Sequence, residues 1–361
     1  MYNIKPEIYT ISIKEIISEI MSEDNVMILT TKNTSQKNGL KDIFSKVEQK
    51  INKFQFIDDV PAEAPFSYLK KFYQNLNFLP NIIIAIGGGS VLDLAKAVSC
   101  ASNFEEIEAV FYKKQKLKGK YAKVYACPTT FGTGAEMSFG AILYDDIKNV
   151  KGGIRSGLIQ ADKVIMDFEL YKTAPRKIKA LSGFDCFTHA LETYLSKKSN
   201  DIVRYQSLTA INIIFENLER AVNNDHESVK KMAITSMLMG VNLAYSTTCL
   251  PHRMQYVIGP MTGTSHAEGL AAIYKGWLFY VKKQNRGPFN EICKSLKISE
   301  DKFIEKVNNI KENIEISIGL ADLGIVEDDY NYILENLSGN LNADPYYLNG
   351  DSVLNILKLA Q

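Results

Sequence analysis

The sequence predicts two unlike parts in one chain: an α/β half built on a parallel sheet, followed by an all-helical half. Three observations predict it. Short apolar runs alternate with helical stretches over the first half, the pattern of strands joined by helical crossovers. Strand signals stop after about Pro175, and helical periodicity continues almost to the end. The length, 361 residues, exceeds one typical domain. The division is expected as 1–176 and 177–361, with no repeat or low-complexity segment between.

The elements follow in order. NVMILTT (25–31) is a buried strand, and after a polar turn QKINKFQFIDDV (49–60) holds a second. A helix is expected over residues 66–76. NIIIAIG (81–87) is the most apolar run and reads as a central strand, with a helix opening at Ser90; AKVYACPTT (122–130) and KVIMD (163–167) supply two more strands. In the second half, LSGFDCFTHALETYLS (181–196) repeats Phe184, Phe187, Leu191 and Leu195 at helical spacing, with Ser182 and Gly183 as a start signal. Between 250 and 274 the chain reads helix, loop, helix, the second helix capped by Thr264 or Ser265.

Composition narrows the function classes. Hydrophobic residues make up 46% and charged residues 23%, the balance of a soluble globular protein. The net charge is +1, with no basic block, so neither nucleic acid nor an anionic membrane surface is the expected partner. No apolar run approaches a membrane span, and the stretch MYNIKPEIYT lacks a leader core. A cytoplasmic location is expected. The five cysteines are odd in number and without CxxC spacing, so they read as reduced thiols rather than a disulfide framework or zinc ribbon. Cys186 reads as a packing residue.

Only four histidines occur, and three join an aspartate in one pattern: Asp185-x3-His189, then His252, then His266. Residues four apart on a helix point the same way, so Asp185 and His189 can converge on one ion. A lone histidine in an apolar helix is usually a packed, hydrogen-bonded residue; the company of the three other residues of the pattern makes a divalent metal site the better reading. His226 follows a capping Asp225 in a polar turn and is left out of the set.

A second element is phosphate-like. In IIIAIGGGSVLDLAKAV a strand runs into Gly87, Gly88 and Gly89 before a helix. Glycines admit close backbone approach, and free N–H groups with the helix dipole favour a pyrophosphate. A tight turn in which Ser90 and Asp93 form a capping box explains the run equally well. PTTFGTGAEMS (128–138) offers hydroxyls and glycines after another strand, fit for phosphate, ribose and amide, or for an ordinary turn.

Taken together, GGGSVLDLAKA, PTTFGTGAEMS, FDCFTHALETYLS and the His252-to-His266 spacing resemble the group III, iron-containing alcohol dehydrogenase family, from about Val26 to the stretch 342–357. The resemblance implies a Rossmann-like dinucleotide-binding domain followed by a helical metal-binding domain, the architecture shared with dehydroquinate synthase. It implies NAD(P) and one divalent metal, usually iron and sometimes zinc. By motif position the metal ligands are Asp185, His189, His252 and His266; the pyrophosphate loop is Gly87, Gly88, Gly89 and Ser90 with Asp93; Thr129, Thr130 and Thr133 contact nicotinamide and ribose. The implied activity is interconversion of a small alcohol and its aldehyde or ketone, and a homodimer is expected. Glycerol and glycerol-phosphate dehydrogenases and dehydroquinate synthase share the architecture and form the alternative, but they generally lack this aspartate–histidine pair.

Three departures shape the expectation. Where NAD-selective members carry an aspartate after the first strand, this chain has Thr31, which leans toward NADP and reduction. Where many members place a further histidine four residues after the third ligand, it has Tyr256, a phenol of ordinary pKa about 10 in a proton-relay position. The last ligand opens His266-Ala267-Glu268-Gly269 instead of His-Gly, and Arg253 follows His252 where small residues are common. The pocket is therefore expected to be unusual, with an anionic substrate group such as a phosphate or phosphonate in view.

Overall fold

The computed structural model describes residues 6–285 and 287–361; the opening of the stretch read as lacking a leader core, residues 1–5, lies outside the described residues. The chain divides into two compact units. One runs up to Thr130 and from Gly134 to Ala174; the other comprises Phe131–Thr133 and Pro175–Gln361. The break falls two residues before the expected one at 176, and the short segment Phe131–Thr133 sides with the helical unit, which sequence pattern did not anticipate.

The first unit contains, in chain order, β1 (Glu7–Tyr9), β2 (Asn25–Thr30), α1 (Lys32–Asn38), α2 (Leu40–Glu48), β3 (Lys53–Ile57), α3 (Phe66–Gln74), β4 (Ile82–Gly87), α4 (Gly89–Val98), α5 (Phe104–Phe111), β5 (Lys123–Pro128), β6 (Gly140–Asp145), β7 (Val150–Arg155), β8 (Lys163–Ile165) and α6 (Phe168–Lys172). Six strands form one parallel sheet in the order β1-β8-β5-β4-β2-β3. β4 is apolar at every position, and β2 and β5 over most of their length, because both faces are covered. Met27, Leu29, Ile83 and Ala85 enter one core, while Val26, Ile28, Ile84 and Ile86 enter the other, the period-2 alternation of a strand. β1 and the antiparallel hairpin β6–β7 escape the sequence reading: β1 is three residues long, and β7 (VKGGIR) carries two glycines and two charges.

Strand order reverses beside β4: the chain leaves β2 toward β3 on one side and returns to β4 on the other. In an open parallel sheet, ligands bind outside the carboxyl ends at such a switch point. Thr31 follows β2 and the glycine run follows β4, so both stand there.

The second unit is helical: α7 (Arg176–Leu195), α8 (Asp201–Val222), α9 (His226–Tyr245), α10 (Leu250–Thr262), α11 (His266–Lys283), α12 (Pro288–Ser295), α13 (Glu300–Asn313), α14 (Tyr330–Glu335) and α15 (Gly350–Leu359). α7 is buried on all sides from Lys179 onward apart from the half-buried Ser182, as expected of a helix enclosed by others. It opens at Arg176 after Pro175, not at Ser182–Gly183. Asp185 and His189 therefore lie within the helix and not near its N-terminus. Gly183 is a packing residue: a Cβ there would meet Leu218 of α8 at 2.1 Å. α10 carries Pro251 in its first turn and Pro260 inside, and ends at Gly263 with φ 66°. Gly259 and Pro260 do not break it, although Pro260 donates no N–H to the Tyr256 carbonyl. Ser265 then caps α11 with Glu268 in a capping box.

Among the described residues no helix is long and apolar enough to cross a membrane. Gly276 of α11 packs directly on backbone: a Cβ there would lie 2.4 Å from the Ile356 carbonyl oxygen and 2.6 Å from the Ala360 nitrogen. Backbone cannot yield as a side-chain tip can. Gly276→Ala is expected to lower stability by about 1–3 kcal/mol by pushing α15 off α11; an unchanged denaturation midpoint would refute that packing.

Candidate functional site

α7, α10 and α11 carry the four candidate ligands of the helical unit. Asp185 and His189 share one face of α7; His252 lies in the first turn of α10; His266 is the first residue of α11. What brings α10 and α11 together is Gln255. A Cβ on Gly269 would overlap its Oε1 at 1.7 Å and one on Gly259 its Nε2 at 2.8 Å, and the same Nε2 donates to the Ser265 carbonyl at 3.3 Å. The amide fills space that only glycines leave open and ties α10 to the start of α11.

The ligands converge. Asp185 Oδ1 lies 3.7 Å from His189 Nε2, 3.8 Å from His252 Nε2 and 4.0 Å from His266 Nε2. Donor atoms of Asp185, His189 and His252 all fall within 4.8 Å of one another; His266 stands at the rim of that tighter group. Its ring lies 5.2 Å from that of His252, which stacks on His189 at 5.0 Å and 24°. The side chains of Asp185, His189 and His252 are nearly closed off, whereas that of His266 is 23% exposed. Access to the cluster is therefore from the His266 side.

Each imidazole orientation has a cause. His189 Nδ1 faces the Gly132 carbonyl at 3.2 Å; a carbonyl only accepts, so Nδ1 carries the proton and Nε2 presents a lone pair toward Asp185. Gly132 must be glycine here, since a Cβ would sit 2.6 Å from the Ser182 carbonyl oxygen. His252 Nδ1 lies 2.9 Å from Glu192 Oε1. The other oxygen of Glu192 accepts the Cys249 N–H at 2.6 Å, and Asp344 accepts the next N–H, of Leu250, at 3.1 Å and the Trp277 indole N–H at 3.0 Å. The N-terminus of α10 has no cap of its own, so two buried carboxylates from other elements satisfy its first donors and meet its dipole. Burial pushes the Glu192 carboxyl up to about 8, opposed by the Cys249 N–H and by the neighbouring His189 and Arg253; burial likewise raises Asp344 to about 6 against its donors.

Glu192, Asp344 and Gly132 are absent from the residues that sequence reasoning singled out. Glu192 left a signal: it stands three residues after His189, an acid among apolar neighbours in the last turns of the same helix. Asp344 left none, because its partners are remote along the chain. Tyr256 is half-buried on α10 one turn after His252, its ring stacked on His266 at 5.9 Å and 25°.

In the α/β unit, α4 opens at Gly89 with Gly88 at the N-cap and no side-chain cap. The capping-box alternative is overturned. Ser90 Oγ accepts the Glu63 N–H at 2.9 Å, and Asp93 turns to the hairpin, accepting the Ile142 N–H at 2.9 Å and pairing with Lys96 at 2.9 Å. Lys96 is fully buried and also donates to the Ala135 and Gly140 carbonyls, so Asp93 and Lys96 hold β6 onto α4. Gly87 is required by Val91, whose Cγ2 a Cβ would meet at 2.5 Å; one on Gly88 would meet Thr130 Oγ1 at 3.2 Å. Thr129 bonds the Gly87 carbonyl through its N–H, whereas Thr133 lies in the segment grouped with the helical unit. Thr31 caps α1 through the Thr34 N–H.

A six-stranded parallel unit with a bare helix start at its switch point, followed by a helical unit enclosing one carboxylate and three imidazoles, defines a class of two-part, dinucleotide- and metal-using folds that includes dehydroquinate synthase. Residues 9–168 match iron-containing alcohol dehydrogenases and residues 179–361 the C-terminal part of the same family. The chain belongs to the iron-containing alcohol dehydrogenase family. It is 28% identical over 343 residues to an aldehyde-alcohol dehydrogenase of Streptococcus pneumoniae, covering 85% of this chain but only 39% of that protein. With the NADPH-dependent butanol dehydrogenase of Clostridium saccharobutylicum it shares 27% over 301 residues, 78% of this chain and 76% of that one. The iron-containing alcohol dehydrogenase structure from Thermococcus thioreducens superposes with a TM-score of 0.87 at 22% identity, covering 100% of this chain and 99% of that one.

Glu192→Ala leaves the Cys249 N–H without its acceptor and His252 Nδ1 without its partner. The expected result is a 10- to 100-fold loss of divalent-metal affinity, roughly the effect of removing an outer partner of a histidine ligand, measured by metal titration of the apoprotein; Glu192→Gln is expected to retain more. Equal affinity in wild type and both variants would show that the carboxylate does not orient His252.

Proposed function

We propose that this protein is a metal-dependent reductase that converts a small aldehyde to its alcohol with NADPH, iron being the preferred ion and zinc the alternative. The observation that carries the reading is the convergence of Asp185, His189, His252 and His266, with His189 and His252 each fixed by a partner on the far nitrogen. The donor set suits a divalent ion of the iron, zinc, nickel or cobalt type. When bound, the ion supplies Lewis-acid polarisation of the carbonyl and the reduced nicotinamide supplies hydride. The chain's own contributions are geometric and protonic. Gly132 and Glu192 keep the Nε2 lone pairs of His189 and His252 aimed inward. Tyr256, beside His266 on the open side, donates the proton that the alcohol oxygen acquires.

The nucleotide assignments rest on the same switch point. The backbone N–H groups at Gly88, Gly89 and Ser90 receive the pyrophosphate; Gly87 gives the tight turn, Asp93 holds the loop in place, and Thr129, Thr130 and Thr133 meet ribose and nicotinamide. Thr31 leaves room for a 2′-phosphate, and the adjoining Lys32 is exposed and in no ion pair among the described residues, so it favours that charge. The expected oligomer is a homodimer, on the family resemblance. Five buried free thiols support a reducing, cytoplasmic setting.

Purified protein loaded with ferrous iron is expected to oxidise NADPH in the presence of short-chain aldehydes, and His266→Ala is expected to lose both bound metal and turnover while still binding NADPH. Tight NADPH binding with no turnover of any aldehyde would sink the reductase reading; full metal occupancy in His266→Ala would refute the ligand assignment. Thr31→Asp places a negative charge against the 2′-phosphate and is expected to shift the NADPH:NADH preference by about 10-fold or more toward NADH. An unchanged ratio would refute the NADP preference.

A further inference from the structure

We propose that Arg253 is a specificity residue that binds an anionic group at the far end of the substrate. The inference rests on the reductase reading above and names its substrate class: short-chain aldehydes ending in an oxyanion, a carboxylate or a phosphate or phosphonate.

Arg253 directly follows His252 on α10 and precedes Tyr256 by three residues, so its side chain emerges beside that of Tyr256. Its guanidinium carbon lies 5.3 Å from the Tyr256 ring centroid, and that ring stacks on His266. One aromatic ring thus separates the cation from the most exposed member of the candidate metal cluster. The side chain is held in place: Nη2 donates to Thr248 Oγ1 at 2.6 Å, and the Gly339 backbone, at φ 88°, packs so close that a Cβ there would meet Arg253 Nη1 at 3.1 Å and Cδ at 3.3 Å.

Its charge meets the face of the Tyr256 ring but no anion among the described residues. Arg176, Arg204 and Arg220 each meet a carboxylate, Glu315, Glu291 and Asp225 respectively. Among the described residues no carboxylate lies within ion-pair distance of Arg253, and its buried Nε has no hydrogen-bond acceptor. Glu192 feels this charge, but its two oxygens already hold the Cys249 N–H and His252. Two threonine hydroxyls are neutral acceptors and cannot compensate a partly desolvated cation. If Arg253 served only to pin the Gly339 turn, an uncharged side chain of similar length would do so without that cost. A guanidinium offers a planar fork of donors matched to carboxylate and phosphate oxygens. In the reaction the oxyanion is a spectator: hydride from NADPH goes to the aldehyde carbon and a proton to its oxygen, giving alcohol and NADP+.

The test compares aldehydes that differ only at the far end, methyl, carboxylate or phosphonate, in wild type, Arg253→Gln and Arg253→Lys. The ratio of kcat/KM for charged over neutral aldehyde is expected to exceed one in the wild type, to fall by about 100-fold in Arg253→Gln through a raised KM, as for removal of a charge-assisted contact, and to recover partly in Arg253→Lys. The larger of the carboxylate and phosphonate effects identifies the natural group. A second readout needs neither metal nor turnover: inorganic phosphate or succinate is expected to raise the unfolding temperature of the wild type more than that of Arg253→Gln. A parallel loss for charged and neutral aldehydes, with no difference in anion stabilisation, would reduce Arg253 to a packing residue and overturn the proposal. Arg253-dependent anion stabilisation without turnover of any aldehyde would sink the reductase reading alone.

Discussion

The arrangement of the helical unit depends on a carboxylate that serves two masters. Glu192 accepts the Cys249 N–H through one oxygen and faces His252 Nδ1 through the other. The first contact fixes where α10 begins, and the second fixes how its first histidine turns. Because Glu192 lies on α7 three residues after His189, the helix that supplies two candidate ligands also sets the orientation of a third. Asp344 secures the neighbouring N–H and the Trp277 indole, joining α10 to α11 through a loop near the chain's end. Burying two acids is unfavourable, as their raised pKa values record, and backbone donors of a helix N-terminus are among the groups best placed to offset it.

The α/β unit uses contact distances in place of charge. Gly87 yields to Val91 and Gly88 to Thr130, so the turn after β4 is tight for steric reasons before any ligand is considered. The residues that might have capped α4 are occupied elsewhere: Ser90 with Glu63, Asp93 with Ile142 and Lys96. No side chain caps the start of α4. Lys96, fully buried near the end of α4, pairs with Asp93 and holds the Ala135 and Gly140 carbonyls, so one side chain fastens the start of β6 and the turn before it to α4.

Much of this was legible in the sequence, for identifiable reasons. The runs at β2, β4 and β5 are apolar at consecutive positions because helices cover both faces, and such runs announce themselves. β1 and β7 were not legible, being respectively too short and too rich in glycine and charge. The start of α7 was misplaced because Ser182 and Gly183 look like a cap, whereas Gly183 is small to admit Leu218. The scarcity of histidine exposed the cluster, since three of four could hardly share a pattern by packing alone. The supporting contacts from Gly132 and Asp344 stayed hidden: a backbone carbonyl has no residue signature, and partners 94 positions apart leave no spacing to read.

The glycine contacts at Gly183, Gly259, Gly269 and Gly276 pack α7 on α8, α10 on α11 and α11 on α15 at close range. A pocket whose donors are already in position takes up an ion with little rearrangement and gives it back without unravelling. Imidazole and carboxylate donors rank first-row ions mainly by the general order of divalent affinities. On the proposed function, the supply of divalent ions around the protein would weigh on the occupant alongside the donor set's own preference.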